Sequence, residues 1–155
     1  MLKEGDPAPR FDLPDAEMEM VSLDAFLGKN NVVLFFYLKD DMPGCTIEAI
    51  DFSELGGAFR SHDAVILGVS RDDVLSHGDF RDKHGLDLTL LSDPDGEVCA
   101  QYGVLVEKTF EGGSRQCVQR STFVIDKRGN IASAMYGVVP RGHAQEVLKV
   151  VKGIR

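Results

Sequence analysis

Apolar residues recur along this chain in two alternating rhythms, and the rhythm predicts the elements. "NVVLFFYL" is an unbroken β-branched and aromatic run, the pattern of a strand buried on both faces, and "AVILGVS" (Ala64 to Ser70) is a second. Between them, from Thr46 to Arg60, Ile47, Ile50, Leu55, Ala58 and Phe59 fall at roughly helical spacing, with Gly56-Gly57 weakening the end. "DDVLSHGDFRDKHG" predicts a helix closed by Gly85, "LTLLSD" a short strand, and "DPDGEVCAQYG" a capped helix stopped by Gly103. "VQRSTFVID", the turn "KRGN" and "IASAMYG" predict a hairpin, and "GHAQEVLKVVKG" an amphipathic helix. Near the start, "RFDLPD" and "MEMVSL" predict extended pieces joined by a turn, and "LDAFLGK" one or two helical turns ended by Gly28.

The order is therefore β-β-(α)-β-α-β-α-β-α-β-β-α. Strands separated by helices imply right-handed crossovers and a central sheet covered on both faces, closing here with an antiparallel hairpin. That is an α/β, thioredoxin-like fold, with a central mixed sheet flanked by helices and an N-terminal β extension. The pattern does not fix the strand order. A chain of 155 residues without linker, repeat or low-complexity segment reads as one domain, 1–155.

Composition narrows the function. With 17 basic against 25 acidic residues the net charge is −8, which argues against binding nucleic acid or an anionic membrane. "MLKEGDPAPRF" has no basic stretch followed by an apolar one, so no secretory signal is visible, and "VVLFFYL" is too short to span a bilayer. The expected location is the cytoplasm. There, three cysteines are inert, metal-binding or redox-active and do not form a structural framework.

One cysteine stands out by position. In "YLKDDMPGCTIEAIDF" the chain leaves a central strand, turns through Pro-Gly and starts a helix at or near Cys45. A cysteine in the first helical turn meets unpaired backbone N–H groups and the positive end of the macrodipole, both of which favour thiolate. The carboxyl end of a central strand is also where open α/β sheets place ligands. The competing reading is a small, buried apolar side chain, the usual state of a free cysteine.

The segment "FFYLKDDMPGCTIEAIDF" resembles the active-site segment of the peroxiredoxins, and is similar above all to the peroxiredoxin Q, or bacterioferritin comigratory protein, subfamily. The resemblance runs nearly the whole chain, through "GDPAPRFDLPD", "VILGVSRDDVLSHGDFRDKHGLDLTLLSDPDGEVCAQYGV" and "RSTFVIDKRGNI". It implies a thiol-dependent peroxidase. The Cys45 thiolate would attack the O–O bond of hydrogen peroxide or an organic hydroperoxide and become sulfenic acid, which thiols then reduce. The same resemblance implies no metal, haem or flavin cofactor. It aligns Arg120 with the family arginine that stabilises thiolate and peroxide, and Glu48 with a residue that helps hold it. Taken alone, Arg120 reads as a solvated strand charge and Glu48 as a dipole-favoured surface residue.

The chain also departs from the pattern. The family signature Pro-x-x-x-Thr/Ser-x-x-Cys has Leu38 at its proline and Met42 at its hydroxyl position, while Pro43, Gly44 and Thr46 are kept. Methionine cannot donate a hydrogen bond. Losing an oriented donor where charge moves typically lowers a rate about 10²–10³-fold, so slow turnover or a preference for bulkier, less polar peroxides is expected. Thr46 is expected to serve the helix N-terminus. The position five residues after Cys45, where many relatives carry a resolving cysteine, is Ile50, and the next helix has none. Cys99, on a short helix beside Val98 and Tyr102, reads as packing. Cys117 precedes Arg120 on what the pattern makes a single strand, on the opposite face from the pocket, and is the better of two weak candidates for a resolving thiol. The expected cycle uses one cysteine and an external reductant: thioredoxin, glutaredoxin or a small thiol. The oligomeric state stays open between monomer and homodimer, with "VLVEKTFEGG" and the loop around residue 40 as surfaces for self-association.

Other chemistries lack support. His62, His77, His84 and His143 show no metal-ligand spacing with one another or with the cysteines and read as solvated. Cys45 is followed by Thr46-Ile47-Glu48, so no Cys-x-x-Cys dithiol is present, and no phosphate-binding Gly loop or Gly-x-Ser-x-Gly occurs. The rival to the peroxidase is a degenerate relative acting as a thiol redox sensor or binding module.

Overall fold

The computed structural model describes residues 1–154. Five strands form the central sheet: β3 (Asn31–Phe36), β4 (Ala64–Ser70), β5 (Thr89–Ser92), β8 (Ser121–Ile125) and β9 (Ile131–Tyr136), in the order β5-β4-β3-β8-β9. β3, β4 and β5 run parallel, and β8 pairs antiparallel with both β3 and β9. All six residues of β3 are buried, as its unbroken apolar run requires of a strand covered on both faces. The mixed sheet is the thioredoxin-fold arrangement expected from the order of elements.

Each face carries its own core. On one, α1 (Pro43–Glu54), α2 (Gly56–Arg60), α3 (Val74–His84) and α5 (His143–Lys152) cover Val33, Phe35, Leu90 and Val124, contributing Phe52, Phe59, Phe80 and Val147. On the other, the N-terminal hairpin of β1 (Asp12–Pro14) and β2 (Met20–Ser22), together with α4 (Glu97–Gln101), packs on Leu34, Phe36 and Phe123. The chain reverses faces because β3, β4 and β5 step outward in one direction, whereas the crossover containing α4 must return past β3 to reach β8.

Two expectations need correction. The helical pattern from residue 46 to 60 is two helices, and it starts earlier, at Pro43, whose ring suits the first turn. The break comes at Leu55, just ahead of the glycine pair. The strand expected from Val118 into Ile125 is also broken. Its first part belongs to a separate two-stranded ribbon, β6 (Leu105–Phe110) with β7 (Gly113–Val118), and Gln119-Arg120 form a link between β7 and β8. Arg120 therefore lies in a connection, and the alternation that put Cys117 on the face opposite Arg120 does not apply.

Candidate active site

The link and the first turn of α1 meet over Cys45. The first helical hydrogen bond of α1 runs from the Thr46 N–H to the Met42 carbonyl, leaving the Gly44 and Cys45 N–H groups free at the positive end of the helix. Met42 occupies the N-cap with no capping side chain, and the Thr46 hydroxyl turns back to donate to the same Met42 carbonyl at 2.9 Å. Thr46 thus serves the helix end, as expected. Cys45 is only 1% exposed. Its Sγ accepts a hydrogen bond from Arg120 Nη2 at 3.1 Å.

The backbone fixes Arg120 from both sides: its carbonyl accepts from Val138 N–H at 2.9 Å, and Gln119 N–H donates to the Val104 carbonyl at 2.7 Å. Glycine at position 44 gives it room. A Cβ on Gly44 would stand 3.0 Å from Arg120 Nη2 and 3.3 Å from Pro140 Cγ, displacing the guanidinium that reaches the sulfur. Behind Arg120 lies Glu48, one turn on from Cys45 and fully buried, with Oε1 3.6 Å from Arg120 Nε. The surface reading of Glu48 is excluded by that burial. Burial pushes its carboxyl up to about 8, with Arg120 pulling the other way and Asp51 adding to the rise. At that separation the pair is a long contact between a guanidinium and a carboxyl that holds its proton near neutrality.

The other cysteines are placed apart. Cys99 is fully buried in the core on the opposite face of the sheet from Cys45, and Asp93 accepts from its N–H at 2.9 Å. Burial, then Asp93, pushes its thiol far above the ordinary range. Cys117 sits half-buried on β7 opposite Val106, in the ribbon outside the central sheet. Ile50 is packed against the same apolar cluster as Cys45, as is Leu38.

Two histidines expected in solvent are buried. His143 is the first residue of α5, and its Nε2 lies 2.7 Å from Thr122 Oγ1 and 4.0 Å from Glu48 Oε2. Its spacing to Val147 and Val151 puts it on the buried stripe of the helix, a signal readable in the sequence. His77 on α3 joins Asp40, Tyr37 and Ser76 in a buried network just upstream of Cys45. Asp40, Asp72 and His77 could converge on a metal, but their ligand atoms are already engaged by one another and by Ser70, Tyr37 and the Leu91 carbonyl.

A buried thiol at a helix N-terminus, touched by a guanidinium, fits the sequence resemblance, and comparison with known proteins decides it. Residues 4–134 match the AhpC/TSA family. Peroxiredoxin Bcp of Xanthomonas campestris is 40% identical over 148 residues, covering 94% of this chain and 92% of its own. The chain belongs to the peroxiredoxin family. Peroxiredoxin Bcp of Bacillus subtilis is 38% identical over 151 residues, 97% of this chain and 96% of its own. The crystal structure of BcpB from Mycobacterium tuberculosis superposes with a TM-score of 0.89 at 35% identity, covering 100% and 99% of the two chains. A Cys-to-Ser mutant of Xylella fastidiosa PrxQ superposes with a TM-score of 0.92 at 34% identity, covering 98% and 96%. As a peroxiredoxin of this branch the protein is a thiol-dependent peroxidase, acting on a peroxide with electrons from a thiol. Among the described residues no helix is long and apolar enough to cross a membrane.

Proposed function

We propose that Cys45 is the peroxide-reacting thiol, that Arg120 stabilises it, and that the cycle uses this one cysteine. The observation that carries the proposal is the 3.1 Å contact from Arg120 Nη2 to Cys45 Sγ in the first turn of α1. The thiolate attacks the distal peroxide oxygen, the O–O bond breaks, and sulfenic acid forms as the alkoxide or hydroxide leaves and takes a proton. A reductant thiol condenses with the sulfenic acid, releasing water. A second thiol then attacks the mixed disulfide and returns Cys45 to the thiol. Ile50 at the usual resolving position, and Cys99 on the other face of the sheet, favour an external reductant over an internal one. Thioredoxin, glutaredoxin or a small thiol in the cytoplasm would serve, with the chain working as one domain.

Intact-mass spectrometry after stoichiometric peroxide tests this on the wild type and on Cys45→Ser, Cys99→Ser and Cys117→Ser. A trappable sulfenic acid in every variant that keeps Cys45 establishes the one-cysteine cycle. A two-proton mass loss that vanishes only in Cys117→Ser assigns resolution to Cys117 instead. Oxidation of Cys45 no faster than free cysteine would remove its role.

Organic hydroperoxides are the preferred substrates. A hydrogen-bond donor at position 42 would serve small and large peroxides alike. Met42 offers none, and its half-exposed thioether chain presents apolar surface beside the helix end. A relative from Xanthomonas campestris, studied for alkyl peroxide reduction, superposes with a TM-score of 0.88 at 37% identity. The variant Met42→Thr is expected to raise the hydrogen peroxide rate constant by at least about tenfold, toward the 10²-fold that an oriented donor contributes. The ratio of organic to hydrogen peroxide rates should fall. A threonine at this N-cap can also accept from the free Cys45 N–H, so stability should rise by about 0.5–1 kcal/mol. Stopped-flow oxidation and denaturant unfolding read the two effects.

A further inference from the structure

Behind Arg120 is a sealed cluster that the peroxidase cycle does not by itself explain. Glu48 is fully buried, and among the described residues neither of its carboxyl oxygens has a hydrogen-bond partner. Arg120 Nε is equally unpartnered, 3.6 Å away. From α5, His143 brings Nε2 to 4.0 Å from Glu48 Oε2, while its Nδ1 lies 3.4 Å from Glu146 Oε1. Burial holds the ring in its neutral form. Its proton is then on Nδ1, facing Glu146, and Nε2 accepts from Thr122 and has nothing to donate to Glu48. From α1 itself, Asp51 adds negative charge near Glu48.

The cluster thus holds one cation, Arg120, between two groups able to be anions. The sulfur takes Nη2 at hydrogen-bond distance, and the carboxyl faces Nε from just beyond it. A single guanidinium in a low-dielectric site balances one buried negative charge, and a second, without any hydrogen bond, is expensive. While Cys45 is thiolate, Glu48 must therefore hold a proton. When the thiolate becomes neutral sulfenic acid, Arg120 loses its anion, and ionised Glu48 is the group placed to replace it.

We propose that Glu48 is a charge-balancing partner of Cys45, protonated while Cys45 is thiolate and ionised once the thiolate is consumed, with Arg120 passing from one anion to the other. The oxidation step balances as thiolate plus hydroperoxide plus the Glu48 carboxylic acid giving sulfenic acid, alcohol and the Glu48 carboxylate. The departing alkoxide takes a proton from solvent and Glu48 returns one, so no net proton is taken up. The site keeps a constant charge through the reaction. Glu48 is a positioning residue: it acts through the guanidinium and touches neither peroxide nor sulfur. The inference rests on Cys45 being the reacting thiolate.

Proton uptake measured with a pH indicator during single-turnover oxidation, at a pH just above the value of about 8 to which burial lifts Glu48, provides the test, with the ultraviolet absorbance of the thiolate followed in parallel. Wild type is expected to take up close to no proton per Cys45 oxidised. Glu48→Gln, which keeps the neutral shape and cannot ionise, should take up about one. Equal uptake in the two, with thiolate present in both, overturns the proposal. Carbon-13 carboxyl NMR supplies a second readout that needs no Glu48 variant: Glu48 should titrate at higher pH in the reduced wild type than in Cys45→Ser, and equal titration overturns the proposal as well. Loss of thiolate absorbance on adding peroxide supports the role of Cys45 separately, so the two readings fail independently.

Discussion

Replacing Arg120 by methionine is expected to slow oxidation of Cys45 by about 10²–10³-fold while leaving the fold almost as stable as before. The rate falls because, among the described residues, the one hydrogen bond to Cys45 Sγ comes from Arg120 Nη2. In the proposed mechanism the guanidinium would also supply the positive charge that polarises the O–O bond. Stability is spared for a different reason. Removing one member of a buried ion pair commonly costs 3–5 kcal/mol (as an order of magnitude, ~4), because the other charge is stranded. Here the stranded groups are Cys45, which without the guanidinium can rest as a neutral thiol, and Glu48, which burial has already pushed up to about 8. Glu48 stays protonated at neutral pH, and more firmly so once the guanidinium that pulls it down is gone. Denaturant unfolding at pH 7 should therefore show a loss of about 1 kcal/mol or less. Arg120→Lys should recover only part of the rate, since one ammonium cannot both reach Sγ and lie along Glu48. Competition kinetics against a reference peroxidase measures the rate. A loss of several kcal/mol in stability would mean that Glu48 is ionised in the reduced protein.

How much of this was legible in the sequence follows from where each interaction is encoded. The strands β3 and β4 and the helix α5 announce themselves by runs and stripes of apolar residues, and α3 by the Gly85 that closes it, signals that depend only on local order. The strand order β5-β4-β3-β8-β9 does not, since it is decided by which crossover returns past which strand. The ribbon of β6 and β7 was hidden because its outer residues are polar and exposed, giving no buried alternation until Cys117 and Val118. The resemblance pointed to Cys45, Arg120 and Glu48 together, and the structure brings the three side chains together at the start of α1. His77 was not legible. "KDDMPG" looks like a solvated turn, and nothing local says that the first of its two aspartates, Asp40, is drawn inside by a histidine 37 residues later. The one available hint is spacing: His77 lies three residues before the buried Phe80, on the same face of α3.

That hidden pair carries the second large effect. His77→Phe, which keeps an aromatic ring of similar size, is expected to destabilise the protein by about 3–5 kcal/mol. The ring of His77 has no exposure, its Nε2 lies 2.9 Å from the Leu91 carbonyl, and its Nδ1 lies 2.8 Å from Asp40 Oδ2. Both neighbours are acceptors, the Asp40 carboxylate on one side and the Leu91 carbonyl on the other, so the fold engages both ring nitrogens. Asp40 also accepts from Tyr37 at 2.6 Å and Ser76 at 2.7 Å. Burial alone would push Asp40 up, but the hydrogen bonds from His77 and Tyr37 and the histidine charge outweigh it and hold the carboxyl below its usual range. The sign of the pH dependence follows. A depressed carboxyl contributes stability that is present above the unfolded value, about 3.9, and is lost as pH falls through the folded one. The Asp40 contribution to the gap between variant and wild type should be present above that range and shrink as pH falls through it. His77→Phe strands a charged Asp40, whereas the double variant with Asp40→Asn strands none and should recover much of the loss. The Asp40 N–H, donated to Asp72 Oδ2 at 2.9 Å, ties this network to the turn that leads through Met42 into α1. Hydrogen exchange at Asp40 should therefore quicken in His77→Phe. Unlike the Arg120–Glu48 contact, where the carboxyl is neutral and the rate suffers, here the carboxyl of Asp40 is held charged and the fold suffers. If guanidinium unfolding of His77→Phe at pH 7 shows less than about 1 kcal/mol of loss, removing the ring does not strand a buried charge at Asp40 and the turn before Cys45 is held by its remaining hydrogen bonds.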